Sequence, residues 1–475
     1  MFKSVREVQE FIRKNDVRYV DFKMSDLRGR WKHLSIPAER FSEDTVSEGI
    51  GFDGSNYGYA RVENSDMVFI PDLSTAVIDP FSEDKTLTMI GDVMVIKDPA
   101  NVPFDQYPRN VARAAIEYMK ESGIADEMII GPEYEFHVFD SVTRKITPDE
   151  VAYRINSNES YWSSDSDLNH GFHNGYSDGY HAVMPNDSTA DLRNEICDNL
   201  QKFGVEVKYH HHEVGGSGQL EIEVNLGEML KLADDTLSAK YVIRNTAVRN
   251  GMTATMMPKP IYGEAGNGMH VHMLLKKDGV NVFYEKGSYG NLSQTAMYFI
   301  GGLLKHVKAL CAITNPSTNS YKRLLPGFEA PVTVGYATAN RSAVIRIPGY
   351  VKSPDKVRFE LRNPDATCNP YYAYAAILMA GLDGINNKID PADHNWGPFD
   401  FNLYTLNSKE KAKLEHLPSS LEEAVNELRK DHEFLTVGNV FPEKLIETWI
   451  EALEKDIAKV SNIPHPAEFD LYYDL

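Results

Sequence analysis

Four strand-like segments of the sequence each carry two functional side chains that are separated by one residue. The pairs are Glu133 with Glu135, Gln219 with Glu221, His270 with His272, and Glu360 with Arg362, and a fifth segment ends at Glu213. In a β-strand, side chains two residues apart point to the same face of the sheet. The pairs lie within apolar or glycine-rich stretches such as MIIGPEYEFHVF and GNGMHVHMLL. The sequence therefore predicts a sheet with one chemically active face.

That face would collect five carboxylates and one imidazole, namely Glu133, Glu135, Glu213, Glu221, Glu360 and His270. Without compensation these groups would repel one another and would be costly to bury. An oxygen-rich ligand set with few nitrogens and no thiolate favours Mg²⁺ or Mn²⁺ over Zn²⁺. More than four candidate ligands indicate two or more ions per subunit. A single pair of this kind is more often a solvated surface feature, so the prediction depends on the pairs occurring together.

Positive charge follows in the second half of the chain. Five arginines fall within about forty residues of one another: Arg323, Arg341, Arg346, Arg358 and Arg362. Guanidinium groups beside carboxylates of the metal-binding type fit the recognition of phosphate and carboxylate groups. A surface ion-pair network is the alternative interpretation. The sequence has no Walker A motif and no glycine-rich dinucleotide motif between a strand and a helix, so metals and arginines would have to hold any bound ATP.

Composition excludes several classes of protein. The chain has 475 residues and a net charge of −20, which argues against a nucleic-acid partner because phosphate contacts need a basic face. Its three cysteines, Cys197, Cys311 and Cys368, lie far apart and form no metal or disulfide motif. The chain opens on the charged segment MFKSVREVQE, and its longest apolar stretch is about half of a membrane span. We therefore expect a cytoplasmic enzyme with no membrane partner.

Periodicity and turn residues predict an α+β fold. Short strands up to about residue 97 precede the proline-rich segment KDPANVPFDQYP, where we expect a domain boundary near residue 104. Residues 1–104 would form a small, mostly β domain and residues 105–475 a large α+β domain. The polar segment 141–180 is interpreted as a long loop or flap. The predicted helices are 4–15, 109–122, 188–204, 227–249, 291–314, 368–388 and 420–430.

The residues alone thus indicate a metal-dependent enzyme that acts on a small phosphorylated molecule, which we expect to carry a carboxylate as well. They leave a kinase, a ligase and a two-metal phosphatase open.

Several motifs, in order and at matching spacings, resemble the glutamine synthetases of the bacterial type I family. The motifs are FDGSNYGYARVENSDM, GPEYEF, HHHEVGGSGQLE, KPIYGEAGNGMHVHM, NSYKRLLPGFEAP, NRSAVIRIP and RFELRNPD. The resemblance runs essentially from end to end. It implies a β-grasp-like N-terminal domain and a catalytic domain whose antiparallel sheet carries the metal ligands between flanking helices. It also implies ligation of ammonia to the γ-carboxylate of glutamate, driven by ATP through γ-glutamyl phosphate.

The resemblance assigns roles to the charged residues. One cation site would use Glu135, Glu213 and Glu221, and the site nearer the phosphates would use Glu133, His270 and Glu360. His272 and Arg358 match residues near the nucleotide. Arg341 and Arg346 match residues that stabilise the transferring phosphoryl group.

Other positions match the amino-acid and ammonium sites. Arg323, Arg362 and the backbone of Gly266 match the residues that bind glutamate and the acyl phosphate. Asp53, Tyr180 and Glu213 match the ammonium pocket, with Asp53 as the base that removes a proton from ammonium. Glu329 matches the flap residue that closes over glutamate and would accept the second proton.

The family also implies an assembly. Its active sites form between neighbouring subunits of a dodecamer of two hexameric rings, so Asp53 would serve the metal sheet of the next chain. A C-terminal tail such as HPAEFDLYYDL would help to join the rings. Tyr404 matches the position that is adenylylated in one subgroup, which would require a regulatory protein partner.

Three positions depart from the pattern of the family. Asn56 replaces a serine beside the ammonium pocket, Ala265 replaces the asparagine before Gly266, and Leu274 replaces a serine near the nucleotide. The alternative functions are a γ-glutamyl ligase for another small amine and a paralogue without catalysis. Intact metal positions argue against the paralogue, and the ammonium-pocket residues favour ammonia.

Overall fold

Residues 19–103 of the computed structural model form a mixed sheet around one parallel strand pair. The structure describes residues 2–59, 65–163, 170–327, 330–338, 340, 342–401, 406–411 and 413–473. The strands of this first sheet are β1 (Tyr19–Ser25), β2 (Trp31–Pro37), β3 (Ile50–Asp53), β4 (Asp66–Pro71), β5 (Val77–Ile78), β6 (Thr86–Val95) and β7 (Val102–Pro103). They follow the order β2-β1-β6-β4-β3, and β5 and β7 also pair with β6. Only β1 and β6 run parallel. This is the expected β-grasp-like domain.

A tight turn at residues 26–30 joins β1 to β2. The Asp26 carboxylate accepts hydrogen bonds from the backbone N–H groups of Arg28 and Arg30, each at 2.9 Å. Gly29 has a φ of +75°, a conformation that glycine adopts without the clash of a Cβ atom. The turn therefore fixes the register of the β1–β2 hairpin.

The catalytic domain is built on a second sheet, in which all pairs except β17 with β18 are antiparallel. Its strands are β8 (Glu127–Phe139), β11 (Val207–His212), β12 (Gln219–Val224), β13 (Gly227–Glu228), β14 (Thr253–Thr255), β15 (Val271–Lys277), β16 (Val280–Asn281), β17 (Thr333–Ala337), β18 (Ala343–Arg346) and β19 (Phe359–Leu361). The strand order is β11-β12-β8-β15-β19-β18-β17, with β13 and β14 also on β8 and β16 on β15. The long strand β8 lies next to both β12 and β15, so it connects the two halves of the charged face.

Helices flank this sheet, and the seven predicted helices agree with the structure to within a few residues. The helices are α1 (Val5–Lys14), α2 (Glu43–Ser47), α3 (Pro108–Glu121), α4 (Ala190–Lys202), α5 (Met229–Arg249), α6 (Gln294–Thr314), α7 (Ser320–Arg323), α8 (Pro370–Asn386), α9 (Ser408–Lys411), α10 (Leu421–Lys430), α11 (Glu433–Thr436), α12 (Glu443–Ser461) and α13 (Pro466–Tyr472). By length and composition α6 could span a membrane. However, 78% of its most apolar stretch is buried inside the protein, as in the core helix of a folded domain.

The interpretation of residues 141–180 as a loop is wrong for its first part. Residues 141–156 form an antiparallel hairpin of β9 (Ser141–Thr147) and β10 (Glu150–Asn156). Alternation is present in the sequence, with Val142 and Ile146 on one strand and Val151, Tyr153 and Ile155 on the other. Most of the hairpin is exposed, so its polar composition hides the period of two. Residues 157–163 and 170–189 contain no helix or regular strand.

One buried guanidinium joins the first sheet to the catalytic domain. Arg109 on α3 is only 2% exposed. It contacts Asp72 at 2.8 Å and Asp92 at 2.9 Å on the side of the first sheet, and Asp234 on α5 at 3.0 Å. Tyr371 on α8 donates a further hydrogen bond to Asp234 (2.6 Å). The two parts of the chain therefore share a buried ionic junction.

Candidate functional site

The register of the central strands places the predicted carboxylates side by side. On β12 and β8, Glu221 lies opposite Glu135, and Glu223 lies opposite Glu133. On the other side of β8, the Glu133 N–H donates to the His270 carbonyl at 3.0 Å. Neighbouring strands lie about 4.8 Å apart, so side chains on the same face of paired residues can meet. The sheet thus brings the separate i, i+2 pairs into one cluster.

Glu133, His270 and Glu360 form the first group that could hold a cation. One ligand atom from each residue lies within 4.8 Å of the others. His270 Nδ1 lies 2.8 Å from Glu133 Oε2 and 3.6 Å from Glu360 Oε1. This group contains the three residues predicted for the cation site nearer the phosphates.

A second group combines His211, Glu213 and Glu221, again with one ligand atom each within 4.8 Å of the others. Two of these residues belong to the predicted site of Glu135, Glu213 and Glu221. Glu135 lines the same cleft, where its Oε2 accepts a hydrogen bond from the Gly268 N–H at 2.7 Å and its Oε1 lies 3.6 Å from His270 Nδ1. Glu135 therefore lies between the two groups.

Negative charge is unevenly compensated across the cluster. Burial, together with the carboxylates of Glu133 and Glu135, raises the pKa of Glu221 well above its usual range. Burial also opposes ionisation of Glu133, but hydrogen bonds with His270 and His272 outweigh it and hold the pKa of Glu133 well below its usual range.

A similar balance holds at Glu360, where burial raises the pKa but the Arg362 guanidinium lowers it, with a net decrease. The charge that protein groups leave uncompensated is therefore concentrated around Glu221. Carboxylates and imidazoles without a thiolate suit Mg²⁺ or Mn²⁺, so the donor set fits such ions.

Three arginines line the same cleft, next to these carboxylates. Arg346 Nη1 lies 2.8 Å from Glu360 Oε2, and Arg362 Nη1 lies 2.6 Å from Glu360 Oε1. Arg323 is 3% exposed, and its Nη2 lies 3.3 Å from His270 Nε2. The Nε atoms of Arg346 and Arg358 are buried and have no hydrogen-bond partner among the residues that the structure describes. Such donors fit an anionic ligand.

The groups border one cleft of about 250 Å³. Its described lining residues are Glu133, Glu135, Tyr180, Tyr209, His211, Glu213, Val214, Gln219, Glu221, Ala265, Gly266, His270, Arg323, Ala330, Arg346, Tyr350, Glu360 and Arg362. Eleven predicted site residues are in this set. His272 and Arg358 are buried nearby, and His272 Nε2 lies 3.0 Å from Glu133 Oε1. One cleft thus offers cation ligands beside guanidinium groups, as a site for phosphorylated and carboxylated ligands requires.

Asp53 is the described candidate that the single chain does not bring to this cleft. It is exposed at the end of β3, and the described residues that line the cleft all lie in the catalytic domain. Asp53 accepts hydrogen bonds from Ser55 N–H (2.9 Å), Ser55 Oγ (2.6 Å) and Asn56 Nδ2 (2.9 Å). Hydrogen bonds from Ser55 lower the pKa of Asp53. The amide of Asn56, which departs from the family pattern, therefore helps to orient the Asp53 carboxylate.

Three predicted residues, Glu329, Arg341 and Tyr404, lie outside the described residues. The other two departures from the family pattern are within them. Ala265 lines the cleft, and Leu274 is buried in β15, two residues after His272.

The sequence reasoning missed two residues of the cluster, His211 and Glu223. Each lies two positions from a predicted ligand, so the same period of two could have found both. Glu223 forms a third group with Glu133 and His272. Its Oε1 accepts a hydrogen bond from Lys208 Nζ at 2.7 Å, so the ammonium group of Lys208 balances the charge of Glu223.

Comparisons with known proteins match the whole chain. The family model described as the glutamine synthetase β-grasp domain matches residues 16–96, and the glutamine synthetase catalytic domain matches residues 105–472. A glutamine synthetase of Methylococcus capsulatus is 45% identical, with 99% of each chain covered. A 3-hydroxylaminophenol mutase of Cupriavidus pinatubonensis is 44% identical over the full length of both chains. The solved structure of Plasmodium falciparum glutamine synthetase has a TM-score of 0.89 at 30% identity, with 99% of each chain covered.

Proposed function

The chain belongs to the glutamine synthetase family and forms glutamine from glutamate and ammonia with ATP, and we propose that the described cleft carries this reaction in two steps. In the first step, an oxygen of the glutamate γ-carboxylate attacks the γ-phosphorus of ATP and ADP leaves. In the second, ammonia attacks the acyl carbon of γ-glutamyl phosphate and phosphate leaves. The observation that carries this proposal is the meeting of cation ligands and guanidinium groups in one cleft.

Divalent cations would be held by two sets of residues, Glu133, His270 and Glu360 in one and Glu135, Glu213 and Glu221 in the other, with His211 beside the second. Bound Mg²⁺ or Mn²⁺ would neutralise the carboxylates and the phosphate oxygens. The raised pKa of Glu221 supports this assignment, because burial and neighbouring carboxylates leave its charge uncompensated without a cation.

Phosphoryl transfer to a carboxylate brings two anions together, so the protein must offset their repulsion. We assign this role to Arg341 and Arg346, with Arg358 and His272 on the nucleotide side. The buried Nε–H groups of Arg346 and Arg358 support this role. They can donate hydrogen bonds to an anionic ligand without giving up a hydrogen bond to a described residue.

Glutamate would be held by Arg323, Arg362 and the backbone of Gly266. Arg323 is fixed before any ligand binds, since its Nη1 donates to the Asn363 carbonyl at 2.8 Å and its Nη2 to the Arg362 carbonyl at 3.1 Å. A guanidinium that is already oriented loses little conformational entropy when it binds a carboxylate.

Ammonium would bind between Tyr180, Glu213 and the Asp53 of a neighbouring subunit. Ammonium is not a nucleophile until it loses a proton, and Asp53 would accept that proton. Asp53 is exposed, and an exposed carboxyl is ionised at neutral pH, as a base requires. Glu329 would accept the second proton and help to exclude water from the acyl phosphate.

We further propose a cytoplasmic dodecamer of two hexameric rings, with domains 1–104 and 105–475. Exposed apolar side chains near the C-terminus, including Phe469, Leu471 and Tyr472, support a contact between rings, because such side chains are costly to leave in water. Tyr404 remains a proposed adenylylation site, which would need a regulatory protein partner.

The test is phosphate release from ATP with Mg²⁺ or Mn²⁺, with glutamate or ammonium omitted in turn. Release that needs both, with glutamine accumulating, supports the proposal. Release driven by an organic amine but not by ammonium would indicate a γ-glutamyl ligase for that amine. Full ammonia-dependent turnover by Asp53→Ala would contradict the role of Asp53 as base.

A further inference from the structure

Gln219 is a buried side chain that connects three parts of the cleft, and none of the roles above uses it. It begins β12, is 1% exposed and lines the cleft. Its Oε1 accepts a hydrogen bond from the Gly215 N–H at 2.7 Å. Its Nε2 donates to the Gly266 carbonyl at 2.9 Å and lies 3.4 Å from Glu135 Oε2. One amide thus links a cation ligand with the loop proposed to bind glutamate.

The orientation of this amide is determined by its neighbours. Because the Gly215 N–H can only donate, it fixes Oε1 on its own side, and Nε2 must then face Gly266. The approach is close, since a Cβ atom on Gly215 would lie 2.7 Å from Gln219 Oε1. The Gly266 carbonyl and Glu135 Oε2 therefore face the same donor, which Asn267 Oδ1 also approaches.

The loop at Gly266 is held from its other side as well. The Asn267 N–H donates to the Pro258 carbonyl at 2.7 Å, and Asn267 Nδ2 donates to the Met257 carbonyl at 2.8 Å. Asn267 Oδ1 lies 2.9 Å from His137 Nδ1 and 3.3 Å from Gln219 Nε2. These hydrogen bonds fix the loop, and both the Gln219 amide and the Gly268 N–H of the loop contact Glu135 Oε2.

We propose that Gln219 is a positioning residue that holds the Gly266 carbonyl and the Glu135 carboxylate at a fixed separation, so that both accept hydrogen bonds from the α-ammonium group of glutamate. This inference rests on the proposed binding of glutamate beside Gly266. A carbonyl oxygen has two lone pairs and a carboxylate has more, so each can bind Gln219 and the ligand together. Gln219 itself does not touch the reacting atoms.

Two substitutions test the proposal. Gln219→Glu has nearly the same shape and keeps an acceptor for the Gly215 N–H, but it loses the donor toward Gly266 and Glu135. Gln219→Met has a similar length and can replace neither hydrogen bond. Gln201→Met, at an exposed position on α4, is the matched control.

We expect both Gln219 variants to raise the KM for glutamate by about tenfold or more, because the acceptors are no longer aligned. The KM for ATP and the number of bound Mn²⁺ ions should stay within about twofold of the unmodified enzyme. Circular dichroism and Mn²⁺ titration establish whether each variant folds. If Gln219→Met does not fold, the nearly isosteric variant Gln219→Glu decides the test.

Inhibition by glutarate, the dicarboxylate without the α-amino group, gives a second measurement. Its inhibition constant should be unchanged in the Gln219 variants, because no ammonium contact is lost. An unchanged KM for glutamate, or equal weakening of glutamate and glutarate, would overturn the proposal. Absence of glutamate-dependent phosphate release in the unmodified enzyme would instead overturn the proposed function, so the two failures are distinguishable.

Discussion

At Glu221, burial and the neighbouring carboxylates act in the same direction, and both disfavour the ionised side chain. A carboxylate in this position destabilises the folded protein unless a cation is bound. Glu221, which we propose as a cation ligand, is therefore unfavourable for folding of the metal-free chain. The free energy of unfolding should then depend on whether a cation is bound.

We predict that Glu221→Gln stabilises the metal-free protein by roughly 1 kcal/mol, because the amide removes a buried charge that the neighbouring carboxylates disfavour. In saturating Mn²⁺ the same change should weaken ion binding and reverse the order of stability. Urea unfolding in EDTA and in Mn²⁺ measures both effects. Glu228→Gln, at an exposed position on β13, is the control. A loss of stability in EDTA would contradict the prediction.

Among the helices, the buried imidazole of His306 on α6 contacts α8, the residue after α10, and α11. His306 on α6 lies 2.9 Å from Asp383 on α8 through Nε2 and 2.8 Å from Asp431 after α10 through Nδ1. Its ring stacks on Phe434 of α11 at 4.0 Å. Burial opposes the charged ring, but the hydrogen bonds with Asp383 and Asp431 outweigh it and raise the pKa of His306. His306 is therefore favoured as an imidazolium in the folded protein.

A raised pKa in the folded state gives stability that is fully present below the unfolded pKa, about 6.5, and is lost as pH rises through the folded pKa. We predict that His306→Gln costs about 2 kcal/mol at pH 6 and less at high pH. Denaturant unfolding across this range checks the prediction, with the exposed His416→Gln as control. An equal loss at every pH would show that the charge of His306 does not contribute.

Where α6 crosses α8, Gly302 and Gly384 let the two backbones touch. A Cβ atom on Gly302 would overlap the Ala380 carbonyl and the Gly384 backbone. We predict that Gly302→Ala destabilises the protein by about 2 kcal/mol or more, because helix backbones cannot move aside as side chains can. Gly349→Ala, where a Cβ atom would meet nothing within 4 Å, should change thermal stability little. Equal melting temperatures for the two variants would refute this packing argument.

The elements that the sequence predicted well have strong local patterns. Helices with an apolar face or a capping residue, such as α1 after Ser4 and α10 after Ser420, were predicted to within a residue or two. The period of two also placed Glu133 and Glu135 on one face. The pairing of Glu221 with Glu135 is different, because register depends on contacts between strands far apart in the chain. His211, Glu223 and the hairpin β9–β10 were missed although their alternation is present, since neighbouring polar residues obscured it.

For the whole molecule, we expect the buried junction at Arg109 to make the two parts of the chain unfold together. Three carboxylates, from Asp72, Asp92 and Asp234, surround this guanidinium. We predict that Arg109→Met lowers the free energy of unfolding by about 3–5 kcal/mol, because it leaves the buried Asp234 carboxylate without its guanidinium partner and removes a contact from Asp72 and from Asp92. Differential scanning calorimetry should then show two transitions instead of one. Arg113→Met removes a single, partly exposed contact with Asp92 and should leave one transition.

The separation of Asp53 from its own cleft gives a second prediction at this scale. If neighbouring chains share each site, mixing inactive Asp53→Ala with inactive Glu360→Gln should restore activity. About one quarter of the sites in a random, equal mixture would combine two intact halves. Activity after the two variants are unfolded and refolded together, compared with each refolded alone, measures this. No recovery from a mixture that assembles normally would show that each chain uses its own Asp53.

Most of the proposed cation ligands lie on hydrogen-bonded strands, and Glu213 and His270 lie directly next to a strand end. This arrangement limits which ions can be useful. Strands in a ladder keep their spacing, so the cluster cannot expand to suit a larger ion. Metal–oxygen distances are about 2.0–2.1 Å for Mg²⁺ and about 2.3–2.6 Å for Ca²⁺. We therefore expect Ca²⁺ to fit the residues that would hold Mg²⁺ or Mn²⁺ less well, and to support less activity. The preference for Mg²⁺ or Mn²⁺ over Ca²⁺ would then come from the stiffness of the sheet, not from the identity of any one ligand.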